Sequence, residues 1–257
     1  MKLCRFLPSG SDTPVYGRLE DDTFAHITAA PWEKWTEGTK RYRAAECRLL
    51  APVVPSKIVC VGRNYAAHAA ELGNEMPKEP MIFLKPPSSV IGPDETIVIP
   101  KYSQRVEHEG ELGLVIGSKC AHLREEDNPL KYVLGYTCVN DVTARDLQKA
   151  DVQFTRAKGF DTFCPVGPHI ETQFDPRDVL VETRVNGTLK QSGSTSLMTF
   201  SAAYLLRWIS WMMTLLPGDL IATGTPAGVG PLVNGDTVEV SVAGIGVLRN
   251  PVHSSPV

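Results

Sequence analysis

Three carboxylates open the most chemically loaded stretch of the chain, Glu107-His108-Glu109-Gly110-Glu111, which runs directly into Leu112-Gly113-Leu114-Val115-Ile116. Side chains alternate in direction along an extended strand, so Glu107, Glu109 and Glu111 are expected on one face. Carboxylates so placed repel one another unless water or a cation separates them. An isolated pair of this kind is most often a solvated strand face. The apolar run that follows argues differently, because it reads as a strand buried on both sides. Carboxylates entering such a strand call for a hard divalent cation, and oxygen-only ligands suit Mg²⁺, Mn²⁺ or Ca²⁺ rather than zinc. A third oxygen is on offer in Asn140-Asp141-Val142-Thr143-Ala144-Arg145-Asp146-Leu147-Gln148, where a strand-like Val133 to Val139 gives way to a helix near Thr143. Asp141 is either that ligand or a helix N-cap. Asp146, inside the helix, is the weaker candidate.

His68 and Glu71 sit three apart on a helical segment after the turn Gly62-Arg63-Asn64. They share a helix face, and a carboxylate that orients imidazole makes histidine a general base. Taken alone, the two read rather as an exposed helical pair of little consequence. Lys158, in Arg156-Ala157-Lys158-Gly159, is uninformative by itself. Thr223-Gly224-Thr225-Pro226-Ala227-Gly228 is a glycine-rich loop after a strand that lacks both the P-loop lysine and the dinucleotide fingerprint.

The elements that must position these groups are mostly short strands. The chain has 257 residues with 21 Gly and 20 Pro, a share that favours many turns over a helical bundle. A net charge of −3, with no block of either sign, leaves no nucleic-acid footprint. The six cysteines lack CxxC spacing and read as small buried hydrophobes of a reducing cytoplasm. The apolar stretch Phe200 to Leu216 is broken by Arg207 and reads as a buried helix ending at Pro217-Gly218, not a membrane span. Strands are expected at Lys57–Val61, Met81–Leu84, Thr96–Ile99, Glu111–Ile116, Leu180–Val185, Leu220–Ala222, Val238–Val242 and Gly246–Leu248, and further helices at Asn64–Leu72 and Ala144–Gln153. Asn186-Gly187 marks a tight hairpin. Before them, Val15–Leu19 and Thr23–Ile27 flank an acidic turn within a small N-terminal unit, and the prolines of Ala51 to Ser56 suggest a stiff linker. The sum is an α+β protein, mainly β, with a few covering helices.

Gly62-Arg63-Asn64-Tyr65 with His68 and Glu71, Glu109-x-Glu111, the Asn140 to Asp146 run and Gly224-Thr225-Pro226, in that order, resemble the fumarylacetoacetate hydrolase superfamily across residues 52 to 252. Within it, the bacterial acylpyruvases and 2-hydroxyhepta-2,4-diene-1,7-dioate isomerases are the nearest kind. The resemblance implies a mixed β-sandwich roll over residues 53–257, a small N-terminal domain over 1–52, and a homodimer. It implies one Mg²⁺ or Mn²⁺ held by Glu109, Glu111 and Asp141, with His68 and Glu71 as the water-activating pair on a lid. Lys158 matches the family lysine that neutralises developing oxyanion charge, while Arg145, Gln148 and Thr225 match positions near the substrate. Neither Glu107 nor His108 receives a role.

The function so implied is hydrolysis of a carbon–carbon bond in acylpyruvates or related 2,4-dioxo acids through a metal-stabilised pyruvate enolate. The alternative is isomerisation or decarboxylation of 2-oxo-3-ene-dioates or oxaloacetate, which needs the enolate but no attacking water. A non-catalytic scaffold is disfavoured because the carboxylates, the histidine pair and the lysine are all present. The expected partner is a small 2-oxo acid in the cytoplasm, with no nucleic acid and no membrane. Specificity is expected to lie around Leu72 to Lys78 and in a loop from Gln191 to Met198.

Overall fold

In the computed structural model, which describes residues 1–255, short strands separated by turns build the N-terminal region. Here β1 (Lys2–Pro8), β2 (Val15–Glu20), β3 (Thr23–Ile27) and β4 (Glu37–Arg43) form an antiparallel meander, and β5 (Cys47–Leu50) folds back onto β1. The acidic turn between β2 and β3 is the expected hairpin, with Asp21 in the left-handed region at φ 51°. Phe6 and Phe24 stack at 4.4 Å between ring centres beneath it. The proline-bearing segment that follows is not an exposed spacer, since Ala51, Pro52 and Val53 are all buried. β1 also pairs antiparallel with the distant stretch Cys164–Glu171, Lys2 opposite Glu171 and Leu3 opposite Ile170.

The chain continues through β6 (Ile58–Gly62), α1 (Ala66–Glu71), β7 (Met81–Lys85), β8 (Val90–Ile91), β9 (Ile97–Ile99), β10 (Val106–His108) and β11 (Gly110–Ile116). Next come β12 (Val133–Asn140), β13 (Thr143–Ala144), α2 (Arg145–Ala150), α3 (Thr155–Lys158), β14 (Cys164–Glu171), β15 (Leu180–Val185) and β16 (Thr188–Ser194). The last elements are α4 (Ala202–Met212), β17 (Leu220–Ala222), β18 (Gly230–Pro231), β19 (Thr237–Val242) and β20 (Gly246–Ser254). A large mixed sheet runs β4-β3-β2-β1-β14-β12-β11-β17-β6-β7. A second sheet, β16-β15-β19-β20-β9, lies across it, and a small third one joins β13, β10 and β18. The α+β, mainly β class read from the sequence is the class observed.

The central strand β11 is buried along its whole length. Leu112, Leu114 and Ile116 pack with Val181, Val240 and Val242 of the second sheet and with Leu205, Leu206 and Ile209 of α4. On the opposite face, Val115 joins Ile58, Cys60, Val139 and Val166. Each such aliphatic side chain contributes about 1.5–3 kcal/mol on burial, which is why β11 reads as an unbroken apolar run. Five of the six cysteines are buried and Cys47 is half-buried; all are free thiols. Among the described residues, no helix is long and apolar enough to cross a membrane.

Three elements depart from expectation. α4 starts as expected, with Ser201 Oγ accepting from the Tyr204 N–H at 3.3 Å, but stops at Met212 rather than at Pro217. Leu215 instead exchanges backbone hydrogen bonds of 2.9 and 3.1 Å with Cys120, and this bridge keeps its side chain in the core. α2 ends at Ala150 instead of Gln153, because Asp151 turns to accept two bonds from Arg156, and the separate turn α3 then delivers Lys158. Finally, Gln191 lies not in a loop but within β16, which is joined to β15 by the expected Asn186-Gly187 hairpin. Both hairpin residues are left-handed, at φ 51° and 76°, as a two-residue type I′ turn requires.

Candidate active site

Register brings the carboxylates together. β11 and β12 pair antiparallel with Gly110 opposite Asn140, so Glu109, just before β11, faces Asp141, just after β12. The Asp141 N–H donates to the Glu109 carbonyl at 2.8 Å, and the Asn140 side-chain carbonyl accepts from the Glu109 N–H at 3.0 Å. Glu111 lies one residue into β11, and one oxygen from each of Glu109, Glu111 and Asp141 lies within 4.8 Å of the others. Asp141 is therefore not the helix cap that the sequence left open; the cap position of α2 is Ala144. Asp146 is no ligand either, since it accepts from Ser103 Oγ and the Gln104 N–H at 2.6 and 2.8 Å.

Buried cations surround this cluster. Lys158 Nζ bridges Glu109 Oε2 at 2.8 Å and Asp141 Oδ2 at 2.6 Å. Arg145 donates from Nη2 to Glu109, from Nε to Glu107 and from Nη1 to Gln148, at 2.5, 2.7 and 2.5 Å. Lys85 Nζ lies 2.5 Å from Asp141 Oδ1 and 3.1 Å from the Val142 carbonyl, and its residue is 1% exposed. Sequence reasoning missed Lys85; its only signal is a charge closing the apolar strand Met81-Ile82-Phe83-Leu84. Burial alone would raise the Glu109 pKa, but Lys158 and Arg145 hold it well below the usual carboxylate range. Burial, reinforced by Asp141 and Glu109, pushes Glu111 well above that range. Lys158 keeps its proton despite burial because Asp141 and Glu109 face it.

This donor set fits a divalent cation. Among the described residues Glu111 makes no ion pair, and its Oε2 accepts only the Gly224 N–H at 2.8 Å. A buried carboxylate repelled by two others, all three offering oxygen, is the arrangement a hard cation relieves.

Glu107 does not join them. The chain changes sheets at Glu109, since β10 pairs with β13 and β18 while β11 enters the large sheet. The three glutamates consequently do not share one face: Glu107 is buried behind Arg145, held by Arg105 at 2.5 Å and Arg145 at 2.7 Å. His108 finds a structural place, its Nδ1 lying 3.0 Å from Gln191 Oε1. Gln191 also accepts from the Gly110 N–H at 3.0 Å and donates to Thr225 Oγ1 and the Pro226 carbonyl, both at 2.7 Å. Thr225 Oγ1 in turn donates to the Gly110 carbonyl at 2.8 Å, so one buried amide fixes the glycine loop against the carboxylate strand.

A cavity of about 220 Å³ opens over these groups and is lined by His68, Glu109, Glu111, Asp141, Arg145, Gln148, Lys158 and Thr225. Leu72 and Asn74 reach it, whereas no residue from 191 to 198 does, so the second expected specificity loop lies elsewhere. Glu71 is also absent from the lining. His68 is buried, and among the described residues its Nδ1 has no hydrogen-bond partner; Glu71 Oε2 stands 3.6 Å away. Both Glu71 oxygens instead accept from the Gly228 N–H, at 3.1 and 3.0 Å. Burial lowers the His68 pKa and keeps the ring neutral.

Known proteins resemble this chain over most of its length. Residues 57–253 match the family model described as fumarylacetoacetate (FAA) hydrolase C-terminal, and residues 1–52 match one described as Rv2993c-like, N-terminal. Protein Rv2993c of Mycobacterium tuberculosis is 50% identical over 242 residues, covering 92% of this chain and 90% of its own. The oxaloacetate tautomerase YisK of Bacillus subtilis is 44% identical over 253 residues, covering 91% and 84%. The crystal structure of a 5-carboxymethyl-2-hydroxymuconate delta-isomerase from Mycobacterium smegmatis superposes with a TM-score of 0.92 at 44% identity, covering 99% of this chain and all of the other.

Proposed function

Because this chain belongs to the fumarylacetoacetate hydrolase family, we propose that it is a metal-dependent tautomerase or isomerase of short 2-oxo acids, oxaloacetate among them. It moves a proton next to the 2-oxo carbonyl and leaves the carbon–carbon bonds intact. Glu109, Glu111 and Asp141 would hold the cation. Bound there, Mg²⁺ or Mn²⁺ supplies a Lewis acid that polarises a 2-oxo carbonyl and acidifies the neighbouring carbon.

The observation that carries the reading is His68. Hydrolysis is favoured by a base that a carboxylate orients to strip a proton from water, and here Glu71 accepts from the Gly228 N–H while standing 3.6 Å from His68 Nδ1. Tautomerisation requires only one neutral group that takes a proton from one substrate atom and returns it to another. His68, buried, neutral and facing the cavity, meets that need. Lys158, charged at the cavity wall, stands against the negative charge that develops on the substrate oxygen. Arg145 has five N–H donors, three of them engaged, which leaves two for a substrate carboxylate. Gln148 fixes the guanidinium edge, and Thr225 holds the loop that closes the cavity floor. The names of the tautomerase and isomerase relatives favour the same reading. The catalytic unit would span residues 53–257 with residues 1–52 as a small N-terminal domain, and the enzyme would act as a homodimer.

The test follows the ultraviolet absorbance of enol-oxaloacetate with Mn²⁺-loaded enzyme, alongside acetylpyruvate in ¹⁸O-water. Accelerated enol decay is expected, slowed ~10²–10⁴-fold in His68→Ala, the usual worth of a general base. Labelled acetate and pyruvate from acetylpyruvate, with enol decay unchanged, would make the protein a hydrolase.

A further inference from the structure

We infer that Arg63, seconded by Lys149, receives a second carboxylate on the substrate, so that the cavity selects 2-oxo dicarboxylates over 2-oxo acids with a neutral tail. This deepens the function proposed above and rests on it.

The argument begins with which cations are engaged. Four line the cavity: Arg63, Arg145, Lys149 and Lys158. Lys158 is held by Glu109 and Asp141, and Arg145 by Glu107, Glu109 and Gln148. Among the described residues, the side chains of Arg63 and Lys149 make no hydrogen bond and no ion pair, although both reach the same cavity. A half-buried arginine whose guanidinium has no protein partner among the described residues, beside a cavity, offers a fork for a carboxylate that the protein does not supply.

Backbone geometry points the same way. Arg63 is left-handed, at φ 55°, in the turn between β6 and α1. Glycine takes this conformation without steric cost and arginine does not. The turn is rigid: the next residue, Asn64, donates to the Thr223 and Phe200 carbonyls at 2.8 and 3.0 Å and accepts from the Phe200 N–H at 2.8 Å. An arginine kept on a strained, clamped turn at the cavity mouth is consistent with a side chain needed there.

Charge completes the case. The four cations face three lining carboxylates, Glu109, Glu111 and Asp141. With a divalent cation on those carboxylates, the cavity carries more positive charge than a monoanion neutralises, and a dianion matches it better.

The test compares oxaloacetate with its 4-methyl ester, which differs in the charge of the distal end. In Arg63→Gln the preference for the diacid, as a ratio of kcat/KM values, is expected to fall ~10–100-fold, the worth of one charge-assisted hydrogen bond. Most of that change is expected in KM. Arg63→Lys is expected to regain part of the preference, and Lys149→Gln to lose only ~2–5-fold, as an exposed charge would. Calorimetric titration of Mn²⁺-loaded variants with oxalate, which has no distal end, reads whether the site is intact. Its affinity is expected to stay within about twofold in Arg63→Gln. An unchanged diacid-to-ester ratio, or an equal loss for oxalate and diacid, overturns the assignment. If the wild type tautomerises neither compound, the proposed reaction fails, and the distal contact is read separately from competitive binding of diacid and ester, with the same ratio expected.

Discussion

Replacing Lys85 by Met deletes a buried ammonium while keeping most of the side-chain volume. Lys85 Nζ holds Asp141 Oδ1 at 2.5 Å and the Val142 carbonyl at 3.1 Å, with the lysine 1% exposed and Asp141 equally buried. Removing one partner of such a buried pair leaves the other uncompensated and costs ~3–5 kcal/mol. Asp141 retains Lys158 on its other oxygen at 2.6 Å, which places the loss at the low end, about 3 kcal/mol. At roughly 2–4 °C per kcal/mol for a chain of this size, the Tm is expected to fall by ~6–12 °C. Calorimetry or urea unfolding of chelator-treated protein reads this directly. Lys85→Met/Asp141→Asn is expected to lose less than the sum of the single changes, by ~0.5–3 kcal/mol, because the two groups interact. A single variant that melts with the wild type, or a strictly additive double variant, would refute the claim that Lys85 orients and neutralises Asp141.

Glu111→Gln in chelator-treated protein is expected to melt above the wild type. Burial, Asp141 and Glu109 all raise the Glu111 pKa, so the native state disfavours a charge that the unfolded chain bears freely at neutral pH, while glutamine still accepts from the Gly224 N–H. The same variant is expected to lose the stabilisation by Mn²⁺, ~2.7 kcal/mol at a hundred times Kd; equal Mn²⁺ shifts in both proteins would remove Glu111 from the ligand set. His169, buried in β14, titrates at about 4 because of burial and then the charge of Lys2. Its folded pKa lies below the unfolded value, so the unfolded chain binds the extra proton first; stability is full above pH ~6.5 and declines, by up to about 3 kcal/mol, as pH falls toward 4. His169→Asn should flatten that part of the unfolding profile relative to wild type, and an unchanged slope would show that other groups set it.

What the sequence determined by itself was local. The uninterrupted run from Leu112 to Ile116 marks a strand buried on both faces, and Asn186-Gly187 marks a turn only left-handed residues complete. Both signals are written within a few consecutive residues, because strand alternation and turn chemistry act at that range. The ordered spacing of Glu109, Glu111, Asp141 and the glycine loop was enough to indicate the family, and those carboxylates do converge. Tertiary structure alone decided the partners. Nothing local says that the chain changes sheets at Glu109 and so diverts Glu107 to Arg105 and Arg145. Lys85 reaches Asp141 across 56 residues, and Gln191 reaches Gly110 across 81. The helical spacing of His68 and Glu71 allows a hydrogen bond, yet Gly228, 157 residues away, takes the carboxylate. In each case the pairing is set by strand register and loop closure between distant segments, where a buried charge or amide must find whichever partner the assembled sheets bring within reach.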